Sequence, residues 1–463
     1  MSKNILIFSD GTGQAGGLFV DENRSNVYKL YRGMRVGPDS IIDPQRQLAF
    51  YDPGLGSSAD GSQIKISFAR KVYNLISQGT GLGITRNIID CYAAILSLWR
   101  PGDRIFLIGF SRGAYTVRCV GGVLAVCGVP THMKDGSPLR YDPATIHAIA
   151  TEAVKQVYQY GSSIKGDPFK DLREKRAHQF RIDHGSNRDG HANEYPYFIG
   201  VFDTVAALGV ARPIRLALGV IGAIVTGLIA AGFAWLLSRC WALSFWLWFA
   251  IWFGMPLLVV TAAYVKTHMR YHPVNKRFYF AKWSMKFYDN KLNRRVAFAR
   301  HALSIDETRA DFDRVEWVYD GDECLRAQNE PEMLRQIWFA GDHSDIGGSY
   351  PENESRLSDN ALQWMLDQLR ELPGPTLIDE SVLRVYPSAT GPQHDECRKG
   401  LGGIWRRLGF KWSVKYRDID SDAPLHPSVL ERFAAPAILN YDVIVPYRPE
   451  PLRNHERVKH YYV

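Results

Sequence analysis

No two of the six cysteines of this 463-residue chain stand in C-x-x-C spacing; they lie apart at 91, 119, 127, 240, 324 and 397. That spacing excludes a zinc-ribbon site and a disulfide framework, and most of the thiols are expected as reduced core residues. No metal and no cofactor is expected. A signal peptide is also missing. Met-Ser-Lys-Asn-Ile-Leu-Ile-Phe enters a strand at once, without the long apolar region and cleavage site of a leader, so synthesis in the cytoplasm is expected. There is no internal repeat and no nucleic-acid-binding motif, and no nucleic-acid partner is expected. The net charge of +8 comes from basic residues spread over many segments. It suits either an ordinary solvated surface or attraction to anionic lipid. With 46% hydrophobic and 22% charged residues, wholesale disorder is excluded.

What the chain does have is two long apolar runs. From Leu216 to Ser238 about 23 residues carry no charge, and from Cys240 to Val265 about 26 more, against the roughly 20 that a spanning helix needs. Gly219, Ala223 and Gly227, four apart, let two helices approach closely in lipid. Trp235, Trp241, Trp246, Trp248 and Trp252 suit an interface. Residues 214–266 are therefore expected to form a membrane-inserted helical hairpin; the alternative is a helical pair buried in a soluble core. Arg212, Arg215, Lys266, Arg270, Lys276 and Arg277 flank its outer ends, while its turn carries only Arg239. That asymmetry keeps the body of the protein on the cytoplasmic side, with a bacterial inner membrane as the expected location.

Elsewhere strand and helix patterns alternate, the mark of a mainly parallel sheet with helices on both faces. Strands are expected at 3–8, 47–51, 105–108, 197–202 and 335–339, and helices at 85–99 and 114–126. A further helix over 357–369 has Ser358 as its expected N-cap. Residues 57–85 read as an irregular surface region, and 278–300 as a basic, aromatic membrane-surface segment or sheet-capping helix. The core is thus divided into 1–210, with an insertion at 130–193, and 267–372. Residues 373–463, short of regular pattern, are expected to wrap the surface.

Three strand ends carry candidate chemistry. Gly109-Phe-Ser111-Arg-Gly113 follows a continuous apolar run and precedes a helical stretch, the context that gives G-x-S-x-G its meaning. Its glycines let strand and helix approach while the serine takes a strained conformation. Asp203 stands at the tip of the 197–202 strand, and His343 lies in the glycine-rich loop after 335–339. A serine hydroxyl needs an imidazole to take its proton, and the imidazole needs a carboxylate to fix its tautomer. Ser111, Asp203 and His343 are the catalytic candidates, in that order. The backbone N–H of Arg112 and the loop Gly11-Thr12 are the candidate oxyanion donors, although the glycine-rich turn after the first strand reads equally as a plain tight turn. Asp10 and Asp345 are candidates for shaping loops or holding an ion, and Asp345 is the rival acid. His301 sits in a helix-like context and reads as core or surface rather than as catalytic.

Phe8-Ser-Asp-Gly-Thr-Gly13, Ser25-Asn-Val-Tyr-Lys-Leu-Tyr31, Gly109-Phe-Ser-Arg-Gly-Ala-Tyr115, Gly200-Val-Phe-Asp-Thr-Val205 and Trp338-Phe-Ala-Gly-Asp-His-Ser-Asp-Ile-Gly-Gly348 together resemble the α/β-hydrolase domain of the phospholipase effectors of bacterial type VI secretion and their uncharacterised relatives. The resemblance covers most of 3–370 apart from the apolar hairpin. It implies an esterase acting on phospholipid acyl chains, with Ser111 as nucleophile, His343 as base and Asp203 as orienting acid. Asp342 departs from the family, which tends to have a non-acidic residue before the histidine; a carboxylate there is expected to raise the imidazole pKa. The paired apolar segments suggest a resident membrane protein rather than an exported toxin. The reading is a membrane-associated serine hydrolase of phospholipid esters acting through an acyl-enzyme. Its rivals are a tethered hydrolase of a soluble ester or thioester, and a non-catalytic membrane scaffold on a degenerate hydrolase fold.

Overall fold

The computed structural model describes residues 2–11, 23–54, 82–160, 169–205, 212–241, 244–271, 278–280, 292–315, 317, 332–400 and 411–462. Thr12, residues 57–81 of the 57–85 stretch and residues 281–291 of the 278–300 stretch lie outside them. The chain divides into two compact units. One comprises Met1–Tyr160, Phe169–Gly209 and Phe287–Val463; the other comprises Gly161–Pro168 and Val210–Lys286.

The larger unit is built on six parallel strands: β1 (Asn4–Ser9), β2 (Gln47–Asp52), β3 (Arg104–Phe110), β4 (Pro196–Phe202), β5 (Phe298–Ser304) and β6 (Leu334–Phe339). Their order in the sheet is β6-β5-β4-β3-β1-β2. Every pairing is parallel. Strands buried on both faces need apolar side chains on both, which is why β1 and β3 read as continuous apolar runs rather than as alternation. The register brings the C-terminal ends together. Ser9 lies opposite Asp52 and Gly109, Phe110 opposite Phe202, and Phe339 opposite Ser304. The loops after β1, β3, β4 and β6 therefore leave from one edge, and the strand order reverses between β1 and β3, where open α/β sheets place their ligands.

Helices α1 (Asn26–Met34), α2 (Leu82–Leu98) and α3 (Arg112–Cys127) belong to the first half of this unit. Ser25 caps α1 by accepting from the Tyr28 N–H. In the 130–193 insertion helices occupy Pro143–Thr151 and Lys170–Asp183.

The smaller unit holds α4 (Arg212–Cys240) and α5 (Phe245–His268), which pack against each other, with Phe233 and Trp252 stacked at 4.7 Å. Within α4, Gly222–Cys240 is long and apolar enough to cross a membrane and is only 11% buried. Leu228, Trp235, Trp246 and Leu258 all point outward.

The C-terminal half adds α6 (His343–Gly347), α7 (Arg356–Arg370) and α8 (Pro427–Ala434). Three expectations are corrected here. The stretch around His301 is not helical but the strand β5, because burial on both sides overrides the helix-forming tendency of Ala-Arg-His-Ala-Leu. Its Arg300 is fully buried and reaches Gln368 Oε1 at 2.6 Å and the Glu332 carbonyl at 2.9 Å. Helix α7 starts at Arg356, continuing the 3₁₀ turn Glu352–Glu354, so Ser358 is not its N-cap; its hydroxyl donates to the Ser355 carbonyl at 2.9 Å. Finally, the region after 373 does not merely wrap the surface but shares a buried cluster with the ends of β5 and β6. Val429, Phe433, Ile438, Tyr447, Leu452 and Val458 pack with Ile305 and Trp338.

At the edge of the sheet the buried Asp52 carboxylate accepts from Ser9 Oγ at 2.7 Å and Asn87 Nδ2 at 2.9 Å. Burial outweighs these bonds and, with the charge of Asp90, pushes its pKa up to about 7. An acid raised in the folded state favours folding fully below its unfolded value near 3.8 and loses that contribution as pH rises toward 7. The loss is on the order of 4 kcal/mol at about 1.4 kcal/mol per unit. Asp52→Asn, which cannot ionise, is therefore expected to melt close to wild type below about pH 4, and at a temperature that exceeds wild type by a growing margin as pH rises, several degrees by pH 8. A difference in melting temperature independent of pH would contradict this.

Candidate active site

Ser111 sits between β3 and α3 with φ 58° and ψ −121°, a conformation that side chains rarely adopt. Two close approaches enforce it. A Cβ on Gly113 would lie 2.0 Å from the Ser9 carbonyl oxygen, and one on Gly109 would lie 2.6 Å from the Gly113 oxygen, so only glycine fits at either place. The Ser111 N–H donates to the Phe202 carbonyl at 3.1 Å, which ties the turn to the neighbouring strand. Its hydroxyl does not cap α3. It meets His343 Nε2 at 2.7 Å.

The histidine comes from the far side of the sheet. Asp342 is the N-cap of α6: its carboxylate accepts from the N–H groups of Ser344 at 2.9 Å and Asp345 at 3.0 Å, and Asp345 Oδ2 returns the bond to the Asp342 N–H. The carboxylate expected to act on the imidazole is thus turned onto the helix end. It also accepts from the Tyr350 hydroxyl at 2.9 Å. Burial, with the charges of Asp345 and Glu307, pushes the Asp342 carboxyl well above its ordinary value. The His343 ring packs against two aromatic rings, tilted on Phe110 with centroids 4.7 Å apart and T-shaped with Phe312 at 5.4 Å.

Asp203 follows β4 with φ 34° and is fully buried. Its Oδ2 lies 2.6 Å from His343 Nδ1, and its Oδ1 accepts from the Ser304 N–H at 3.1 Å. Sequence reasoning did not reach its other partner, Arg417, whose Nη1 and Nη2 meet Oδ1 and Oδ2 at 2.5 and 2.9 Å. Burial opposes ionisation of Asp203, but the Arg417 guanidinium and the bond to His343 outweigh it and hold the carboxyl far below the usual range. An ionised Asp203 can only accept. The proton of His343 therefore sits on Nδ1, which leaves the Nε2 lone pair for the serine hydroxyl.

The remaining candidates fall as follows. Arg112 is the first residue of α3, beside the serine, where a helix end directs its N–H groups outward. The Gly11 N–H, by contrast, donates to Asp10 Oδ1 at 2.7 Å, so the structure assigns it to the loop's own geometry rather than to an oxyanion. Asp10 also accepts from Ser25 Oγ and, at 2.6 Å, from the Tyr51 hydroxyl. Asp345 lies against His394, accepting from its backbone N–H at 2.9 Å and meeting its Nδ1 at 2.8 Å. Both acids are thus engaged in loop structure, and among the described residues no cluster of His, Cys, Asp or Glu is arranged to hold a metal. His301 is buried in β5. Its Nε2 accepts from the Thr204 N–H at 3.3 Å, and burial, then the charge of Arg118, push its pKa down to about 3. It steadies the turn after Asp203 as a neutral ring.

A parallel sheet whose strand ends gather a strained serine, a buried aspartate and a histidine, in that chain order, defines an α/β-hydrolase-like fold. The family described as "T6SS, Phospholipase effector Tle1-like, catalytic domain" matches residues 3–368, and the chain belongs to it. An uncharacterized protein of Saccharomyces cerevisiae is 28% identical over 130 residues, 27% of this chain and 18% of its own length. An uncharacterized protein from Pseudomonas aeruginosa of known structure aligns with 83% of this chain and 48% of its own, at 17% identity and a TM-score of 0.34. The Tle1 effector bound to the VgrG spike of the type 6 secretion system aligns with 77% of this chain and 53% of its own, at 15% identity and a TM-score of 0.31. The chain thus spans about half the length of these solved structures and less than a fifth of the yeast relative.

Proposed function

We propose that the protein is a membrane-tethered serine hydrolase that cleaves the acyl esters of phospholipids. One observation carries the reading: the unbroken chain of hydrogen bonds from Ser111 through His343 to Asp203, at 2.7 and 2.6 Å, built from the serine and histidine motifs of a phospholipase family. In the proposed reaction His343 Nε2 takes the Ser111 proton as Oγ attacks the ester carbonyl. Asp203 stabilises the imidazolium that forms. The N–H of Arg112, at the positive end of α3, faces the developing oxyanion. His343 then gives the proton to the departing alcohol, the lysophospholipid, and activates a water that releases the fatty acid from Ser111. The apolar pair α4–α5 supplies the tether, supported by the outward-facing Leu and Trp side chains of two helices that bury little of their surface. The arginines and lysines that flank the apolar pair support a cytoplasmic side for the body of the protein.

A substrate panel tests the choice of ester. The full-length protein, offered phosphatidylethanolamine and phosphatidylglycerol vesicles beside a short-chain nitrophenyl ester, is expected to float with the vesicles and release fatty acid from them. Its kcat/KM on the vesicles should exceed that on the soluble ester by about tenfold or more. Efficient cleavage of the soluble ester with intact phospholipid would leave a tethered esterase of another substrate, and no turnover of either would leave the scaffold.

A further inference from the structure

We propose that Arg417 is a positioning residue of the catalytic centre: by gripping both oxygens of Asp203, it fixes how that carboxylate meets His343 and how much of its charge the imidazole feels. The inference rests on the hydrolase reading for its kinetic consequence, but the grip itself is a matter of geometry. Arg417 and Asp203 are both buried, with side chains 2% and 0% exposed, 214 residues apart in sequence. The fork is bidentate, the arrangement in which arginine fixes a carboxylate in orientation as well as in charge. A third bond, from Nη2 to the Phe312 carbonyl at 3.1 Å, anchors the guanidinium to the segment whose aromatic ring packs on His343.

Asp203 Oδ2 is shared between His343 Nδ1 and Arg417 Nη2. A carboxylate shared in this way stabilises an imidazolium less than an unshared one, so the arginine sets the balance between an acid that orients the ring and one that merely traps its proton. Residue 417 also lies beyond the 3–368 stretch matched by the family, so the centre takes a working part from the last ninety or so residues of the chain. Among the described residues, the charged or titratable groups around this centre besides His343 include Asp203 after β4, His301 on β5, Glu307 and Arg309 after β5, Asp342 and Asp345 around α6, Arg118 on α3, and Arg417. Of these, Arg417 alone bonds the Asp203 carboxylate with a positive charge.

Two substitutions separate charge from geometry. Arg417→Gln keeps a donor and removes the charge; Arg417→Lys keeps the charge and removes the fork. Because the Arg417 side chain is buried, 2% exposed, and acts through Asp203, both variants are expected to lose about 10- to 100-fold in kcat with little change in KM. In Arg417→Gln the acid limb of kcat/KM and the His343 titration followed by NMR of histidine-labelled protein should both move up, by about half a unit or more. In Arg417→Lys both should stay at the wild-type position. A merely structural strap would lower the melting temperature of both variants and move neither titration. Wild-type kcat and an unmoved His343 titration in folded Arg417→Gln overturn the inference, and if that variant does not fold, Arg417→Lys with wild-type kcat overturns it. Should wild type show no turnover that depends on Ser111 while the His343 titration still shifts, the hydrolase reading falls and the grip on Asp203 stands.

Discussion

Ser111→Ala is expected to abolish ester hydrolysis to within measurement, a fall of about 10⁵- to 10⁶-fold in kcat, while the protein stays folded. The size of the effect follows from what the hydroxyl does in the proposed reaction. It is the atom that bonds to the acyl carbon, and no other described hydroxyl or thiol shares the bond to His343 Nε2 at 2.7 Å. Stability should barely change. The Ser111 side chain makes no cap to α3, and the strained backbone at φ 58° is enforced by Gly109 and Gly113 rather than by the hydroxyl. Fatty-acid release from vesicles and thermal unfolding, measured on the same preparation, check both halves. Retained turnover in a cleanly folded variant would remove the nucleophile from the account.

Asp203→Asn should lower kcat by about 10⁴-fold and also destabilise the protein. The carboxylate offers two acceptor oxygens, one to His343 with Arg417 and one to Ser304 N–H with Arg417. An amide has one acceptor and one donor, so whichever way it turns, an NH₂ group faces a donor. Turned toward His343, it favours the tautomer with the proton on Nε2, which cannot accept from Ser111. Turned the other way, it opposes Arg417 and the Ser304 N–H. In both cases the guanidinium is left buried without its counter-charge, a cost of about 3 to 5 kcal/mol. Kinetics and denaturant unfolding of Asp203→Asn are expected to show both losses; an active and fully stable variant would contradict the assignment of the acid.

Most of the sheet could be read from residues alone because strands buried on both faces are largely apolar, and the middles of β1, β3 and β4 form continuous apolar runs. The strand β5 could not. Its fully buried Arg300 and His301 find their partners in Gln368, Gln336 and Thr204, which are distant in sequence, so the run looks helix-like until the neighbours are known. The same distinction separates the site residues. Ser111 and His343 stand in motifs whose glycines have local steric reasons, and Asp203 stands at a strand tip, so each carries a signal in its own neighbourhood. Arg417 has none: Lys415-Tyr-Arg417-Asp-Ile is an unremarkable loop sequence, and the partner lies at the end of another strand. Nor could sequence tell that Gly11 gives its N–H to Asp10, or that Asp342 caps a helix instead of charging the imidazole, because both depend on where a short side chain turns.

The central claim is that His343 draws the proton from Ser111 and makes its oxygen nucleophilic. Reaction of the full-length protein with a fluorophosphonate, followed by mass-spectrometric mapping of the adduct in wild type and in His343→Ala, tests it most directly. The account predicts a single phosphonylated residue, Ser111, formed rapidly in wild type and slower by about 10³-fold or more without the histidine. An adduct on another side chain, or labelling of Ser111 at an undiminished rate in His343→Ala, would contradict it.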